Sequence, residues 1–211
     1  MDLTCSSNSA VLVCATGRGL VAYDTGCGTT VYSFSTEPKT TQAECITLSA
    51  DGDNLLTGSS DGMIRLYDMR KPGATLQWQA HDCPVTELKY TPSQLTALSM
   101  GTNSTVLHWD IRSANQHALE KYVATGTVDS SRWRMAVEPG TGARFFLVSS
   151  PHGVSGAAVY EFGIPYTIAH IGNHNGPIND VCWHPDLPIC GTASADCLLR
   201  LWDFTVTDNY E

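Results

Sequence analysis

His174, Ser194, Asp196 and Trp202 fall close together near one end of the chain, and three of them are the residue types of nucleophilic hydrolysis. In such a site the serine attacks, the histidine takes its proton and the aspartate orients the ring. It also needs an exposed cleft and donors for a developing oxyanion, and the sequence carries no sign of either. The competing use of these groups is a buried chain of hydrogen bonds, which is tolerable only if every donor and acceptor is paired. No catalytic residue is assigned, and the chain is expected not to be an enzyme. Cys182, His184, Cys190 and Cys197 lie nearby, but there is no C-x-x-C pair and the four fall on different predicted strands. No metal and no cofactor is expected. Thr25-Gly26-Cys27-Gly28 and Pro139-Gly140-Thr141-Gly142 lack the lysine of a phosphate loop and open no helix, so they read as turns. Asn103-Ser104-Thr105 matches a glycosylation acceptor, but no secretory signal accompanies it and the match reads as chance.

The chain that must position these groups has 211 residues, 42% hydrophobic and 16% charged, enough for a sizeable core. Acids outnumber bases 21 to 12, a net charge of -9. The average field therefore repels phosphate backbones, and nucleic acid is not expected as a partner. Residues 1–10 hold no basic leader and no long apolar run, and no segment approaches the ~20 apolar residues of a membrane span. The eight cysteines are accordingly read as reduced thiols, and a cytoplasmic location is expected.

Sliding the sequence against itself exposes a repeat. Val21-Ala22-Tyr23-Asp24, Arg65-Leu66-Tyr67-Asp68, Leu107-His108-Trp109-Asp110, Val159-Tyr160-Glu161 and Arg200-Leu201-Trp202-Asp203 each close an apolar run with an aromatic residue and an acid. The acids are 44, 42, 51 and 42 residues apart, the period of stacked four-stranded β-blades. Alternation and turn chemistry divide each unit into short strands. The second unit reads as strands at 44–48, 54–58, 63–68 and 76–79, with Asp61-Gly62 as a hairpin turn. The fifth reads as strands at 180–183, 189–193 and 198–203, and the fourth at 133–137, 144–148, 157–162 and 166–170. The first is expected to open mid-blade, with strands at 3–5 and 11–15 around a turn at Asn8, and 126–132 is the longest connection.

The spacing, the acid turn before the aromatic pair and the loop histidines resemble WD40 repeats over nearly the whole chain. The resemblance implies an all-β propeller in a single region, 1–211, with units at about 1–35, 36–80, 81–125, 126–170 and 171–205. It further implies part of a longer, seven-bladed ring whose exposed sheet edges need covering. In such blades a turn Asp, a loop His, a strand Ser or Thr and a strand Trp form a buried hydrogen-bond chain. On this chain that network maps to His174, Ser194 (or Thr192), Asp196 and Trp202. In the third unit it maps to His81 and Trp109, with Asn103 in place of the acid. The second keeps Asp61 and Tyr67 without an upstream histidine. An Asn cannot give the charge-assisted bond of a carboxylate, so the fifth unit is expected to be among the more rigid.

A propeller leaves function to its rims, so the fold implies a protein-interaction platform. Asn54-Leu55-Leu56-Thr57-Gly58, the run Asp61 to Met69, and Trp78-Gln79-Ala80-His81 resemble the C-terminal propeller of an endosomal WD-repeat family. That family acts as effector of a Rab GTPase and restrains phosphatidylinositol 3-kinase during early-to-late endosome conversion. The resemblance implies those partners and a peripheral endosomal location. Tyr67-Asp68-Met69-Arg70 and Trp109-Asp110-Ile111-Arg112 also resemble the W-D-x-R signature of substrate receptors for cullin-RING ubiquitin ligases. Arg70 and Arg112 would then contact a ligase adaptor; the competing reading is that they face solvent or pair with a neighbouring acid. Trp78, Tyr122 and Trp133 are further candidates for partner contact, balanced against a place in the core.

Overall fold

The computed structural model describes residues 2–5, 11–16, 19–34, 42–71, 73–113, 117–124, 133–140, 142–149 and 156–204. Asn8, Thr141 and the 126–132 connection lie outside them. The described residues hold nineteen strands and no helix. The chain divides into two compact units, Met1–Lys121 and Tyr122–Glu211.

The first unit begins with an antiparallel sheet of β1 (Asp2–Cys5), β2 (Val11–Thr16), β3 (Gly19–Asp24) and β4 (Thr30–Phe34). The second sheet comprises β5 (Ala43–Leu48), β6 (Asn54–Ser59), β7 (Met63–Asp68) and β8 (Ala74–Gln79). The third comprises β9 (Val85–Tyr90), β10 (Thr96–Gly101), β11 (Thr105–Asp110) and β12 (Ala118–Val123). In the second unit, β13 (Met135–Val137), β14 (Phe145–Ser149), β15 (Ala157–Glu161) and β16 (Ala169–Ile171) form the fourth sheet. The fifth has three strands among the described residues, β17 (Ile178–Trp183), β18 (Ile189–Ser194) and β19 (Leu199–Asp203). The first sheet, expected to open mid-blade, has four strands among the described residues, with β1 paired to β2 from Asp2↔Ala15 to Cys5↔Leu12.

Alternation along each strand gives every sheet two faces, and within each unit the apolar sets of neighbouring sheets interlock. Leu20 and Ala22 of β3 pack with Ile46, Leu55 and Tyr67 of the second sheet. Cys45, Leu56 and Ile64 of the second sheet pack with Val85, Leu88 and Trp109 of the third. In the second unit, Ala157 and Val159 pack with Ile178 and Val181. Each large side chain buried this way contributes about 1.5–3 kcal/mol. The sheets approach so closely that a Cβ on Gly58 would sit 2.6 Å from Val85 Cγ1 and 2.7 Å from Cys45 Sγ. The first strands of the second, third and fifth sheets carry a bulge at the same place, displacing Glu44, Thr86 and Asn179. A bulge there turns the strand entry without disturbing the register that sets the faces.

Candidate functional site

The polar groups that the sequence singled out in the fifth sheet come from the loop before β17 (His174), from β18 (Thr192, Ser194), from the turn after it (Asp196) and from β19 (Trp202). In the fifth sheet His174 Nδ1 lies 3.0 Å from Asp196 Oδ2, and its Nε2 lies 2.8 Å from Thr192 Oγ1. Trp202 Nε1 donates to the same Thr192 oxygen at 2.9 Å. An ionised carboxylate only accepts, so His174 presents Nδ1–H to Asp196; in that neutral tautomer Nε2 accepts the Thr192 hydroxyl hydrogen, while the Thr192 oxygen accepts the Trp202 N–H. The hydroxyl in the chain therefore belongs to Thr192. Ser194 instead donates to Gly176 O at 3.0 Å and accepts from Asp196 N–H at 3.2 Å, which fixes the turn that presents the carboxylate. Burial pushes the Asp196 carboxyl up, but the amides of Asn175 and Leu198 and the His174 ring outweigh it and hold it down at about 2. His174 and Thr192 are almost fully buried, and every polar atom of the set has a partner in the chain.

In the third sheet His81 Nε2 meets Ser99 Oγ at 2.8 Å, and Trp109 Nε1 donates to the same oxygen at 2.8 Å. Ser99, fully buried, is a member that the sequence reading left out. Its signal was positional: Thr57, Ser99 and Thr192 each stand four residues before the turn residue and ten before the aromatic. Asn103 binds elsewhere, donating to Asp82 Oδ1 and accepting from Thr105 N–H, both at 3.1 Å. Burial lowers the His81 ring to about 4, against the pull of Asp82, so at neutral pH the imidazole is uncharged, with one nitrogen a donor and the other an acceptor.

The second sheet solves the same problem with a cation. Arg65 donates to Ser59 Oγ at 2.7 Å and to Asp61 Oδ2 at 2.8 Å, and is itself buried. Burial raises the Asp61 carboxyl, and the Arg65 bond and Met63 N–H reverse that to a net lowering. Gly62 follows at φ 79°, and a side chain there would strike the His81 carbonyl, so the turn admits only glycine.

Arg70 and Arg112 adopt one geometry in adjacent sheets. Each binds the acid two residues earlier with two guanidinium nitrogens: Arg70 to Asp68 at 2.9 and 3.2 Å, Arg112 to Asp110 at 3.1 and 2.9 Å. Arg70 also reaches Asp53 at 3.2 Å. The arginine bonds hold Asp68 at about 2 and lower Asp110. Both arginine side chains remain nearly two-thirds exposed, 64% and 63%. Trp78, Tyr122 and Trp133 are core residues rather than surface anchors, at 6%, 0% and 1% exposed. Tyr122 meets Phe146 and Tyr160 edge-on at 5.0 and 5.8 Å. Among the described residues there is no group of three candidate metal ligands, the seven described cysteines are free thiols, and no helix is long and apolar enough to cross a membrane.

The family profile for the WD domain, G-beta repeat, matches residues 28–68 and 166–203, which cover most of the second sheet and the whole of the fifth. These two segments match the WD40 repeat. The chain is similar to the WD repeat-containing protein 91 of Gallus gallus, 27% identical over 86% of this chain, and of Danio rerio, 26% identical over 95%. The chain spans 26% and 32% of those two relatives. Subunit I of eukaryotic translation initiation factor 3 from Caenorhabditis elegans is 25% identical over 72% of this chain, which spans 49% of it. Among solved structures, Raptor from Chaetomium thermophilum superposes with a TM-score of 0.80 over 96% of this chain and 19% of its own, at 18% identity. That likeness shows the WD40 β-propeller fold and nothing about function.

Proposed function

We propose that this WD40 chain is a non-catalytic scaffold for protein partners in endosomal trafficking, engaging a Rab GTPase or a phosphatidylinositol 3-kinase complex from the cytoplasmic side. The observation that carries the reading is similarity to WD repeat-containing protein 91 over up to 95% of the chain, across all five sheets rather than in one motif. The non-catalytic part is supported by the buried His174–Thr192–Trp202 set, whose donors and acceptors are consumed within the chain. A threonine 1% exposed, accepting an indole N–H and donating to a histidine, has no free hydroxyl to attack a substrate.

The matching exposure and geometry of Arg70 and Arg112 favour a second reading, a substrate receptor that docks a ligase adaptor through both arginines. A pull-down from cell lysate with wild type and the Arg70→Ala/Arg112→Ala variant, read by mass spectrometry, separates the two. The endosomal reading expects GTPase or lipid-kinase components recovered equally by both proteins. Recovery of a ligase adaptor by wild type alone overturns it in favour of the second reading.

A further inference from the structure

The loop that carries His81 runs between the second and third sheets and is bonded to both. On the second sheet, the amides of Ala80 and His81 donate to Gly62 O at 3.1 Å, and Gln79 Nε2 donates to Asp61 O at 2.9 Å and to His81 O at 2.6 Å. On the third, Thr102 N–H donates to Pro84 O at 3.0 Å, and the His81 ring enters the sheet to meet Ser99 Oγ at 2.8 Å. The ring is the deepest of these attachments, since His81, Ser99 and Trp109 are all buried.

The fifth sheet holds its histidine at both nitrogens, through Asp196 and Thr192. The third holds only Nε2. Asn103 stands where Asp196 does, but its Oδ1 accepts from Thr105 N–H and its Nδ2 donates to Asp82, which leaves His81 Nδ1 without a hydrogen-bond partner among the described residues. A neutral ring can be anchored through one nitrogen. A protonated ring brings a charge and a second N–H into a buried site that has no carboxylate to receive them. Of the charged groups around it, Asp82 on the exposed side of the loop attracts the proton and Lys121 of β12 repels it. Asp61, on the second-sheet turn, is already paired with Arg65, and the Cys83 thiol lies against Gly101.

We infer that the His81 loop is a proton-sensitive clasp between the second and third sheets, closed while the imidazole is neutral and released when it takes a second proton, with residue 103 setting the response. Release withdraws the ring from Ser99, frees the loop from Gly62 and Thr102, and opens the seam over Trp109. The ring titrates at about 4 when the clasp is closed, against 6.5 for a free imidazole, so closure is fully favoured above pH 6.5 and weakens as pH falls towards 4. Between pH 7 and pH 4.5 the opening equilibrium rises about 50-fold. Asp196, held at about 2, stays ionised over this range, so a proton on His174 meets a carboxylate.

Amide hydrogen exchange followed by NMR on the 211-residue chain at pH 7 and pH 4.5 tests this, with rates converted to protection factors to remove the intrinsic pH dependence of exchange. Thr102 and Ala195 report the two sheets, because their amides make the same bond in each, to Pro84 O at 3.0 Å and to Pro177 O at 2.9 Å. On acidification the protection of Thr102 is expected to fall about 50-fold relative to that of Ala195. Asn103→Asp puts a carboxylate within reach of the unbonded nitrogen, since Asn103 Oδ1 and His81 Nδ1 lie 2.9 and 2.8 Å from where a Cβ on Gly101 would be. In that variant the fall is expected to shrink to less than about 5-fold. Equal falls at Thr102 and Ala195 in wild type overturn the inference, because they report general acid unfolding. An undiminished fall in Asn103→Asp overturns it too, because the missing carboxylate is then not what makes the loop acid-sensitive.

Discussion

Replacing Thr192 by valine keeps the shape of a side chain that is 1% exposed and removes only its hydroxyl. Two partners lose their bonds at once: His174 Nε2 at 2.8 Å and Trp202 Nε1 at 2.9 Å. A buried polar group left unpaired costs about 1–3 kcal/mol, and Trp202 is only partly buried, so the expected loss is about 2–4 kcal/mol. Ser194→Ala removes bonds at the turn, to Gly176 O and from Asp196 N–H, and is expected to cost about 1 kcal/mol. Thr192→Ser keeps the hydroxyl and loses one methyl, about 0.8 kcal/mol. Urea unfolding followed by circular dichroism, with the slopes compared for two-state behaviour, gives the three differences. A loss for Ser194→Ala equal to or greater than that for Thr192→Val would refute the assignment of Thr192 as the bridging hydroxyl.

Three further outcomes follow from the other sheets. The folded-state pKa of His81 is depressed from 6.5 to about 4, so its contribution is fully present above pH 6.5 and is lost as pH falls towards 4. Between pH 7 and pH 4.5 wild type is expected to lose about 2 kcal/mol more than His81→Gln, measured by urea unfolding at the two pH values; parallel pH profiles would contradict the burial that lowers the ring. Gly58→Ala forces a methyl into Val85 and Cys45 and is expected to cost about 1–3 kcal/mol, read as a drop in thermal midpoint, whereas an unchanged midpoint would mean that the sheets can move apart freely. Arg65→Ala strips Asp61 and Ser59 of their buried partner, for about 2 kcal/mol after allowing for the partial exposure of Asp61, and hydrogen exchange should rise first at the Asp61-Gly62 turn.

The parts of the fold most legible in the sequence were those written in local chemistry. The strand at 63–68 has the same bounds in both readings because Asp61-Gly62 dictates its start and Asp68 its end. The fourth strand of the fourth sheet was less legible: 166–170 was expected and Ala169–Ile171 is found, since Pro165 and Tyr166 lead into it without a comparable turn signal. Thr192 and Ser194 are two apart on β18 and share a face, so periodicity cannot choose between them. The choice is made by the reach of Trp202 and His174 across the sheet. Arg65 was hidden for a similar reason, because a cation arriving from β7 in place of a loop histidine has no signature in the spacing of the repeat. Trp78, Tyr122 and Trp133 show the same limit, as an aromatic in a short strand does not announce which face it is on.

The scaffold reading is tested most directly by titrating the chain against an endosomal Rab GTPase in its GTP-bound and GDP-bound forms, by isothermal calorimetry. The account predicts saturable binding to the GTP-bound form that Arg70→Ala/Arg112→Ala leaves unchanged, with no hydrolysis beyond the intrinsic rate. Absence of binding to both forms, together with tight binding to a cullin-ligase adaptor that the double variant abolishes, would contradict it.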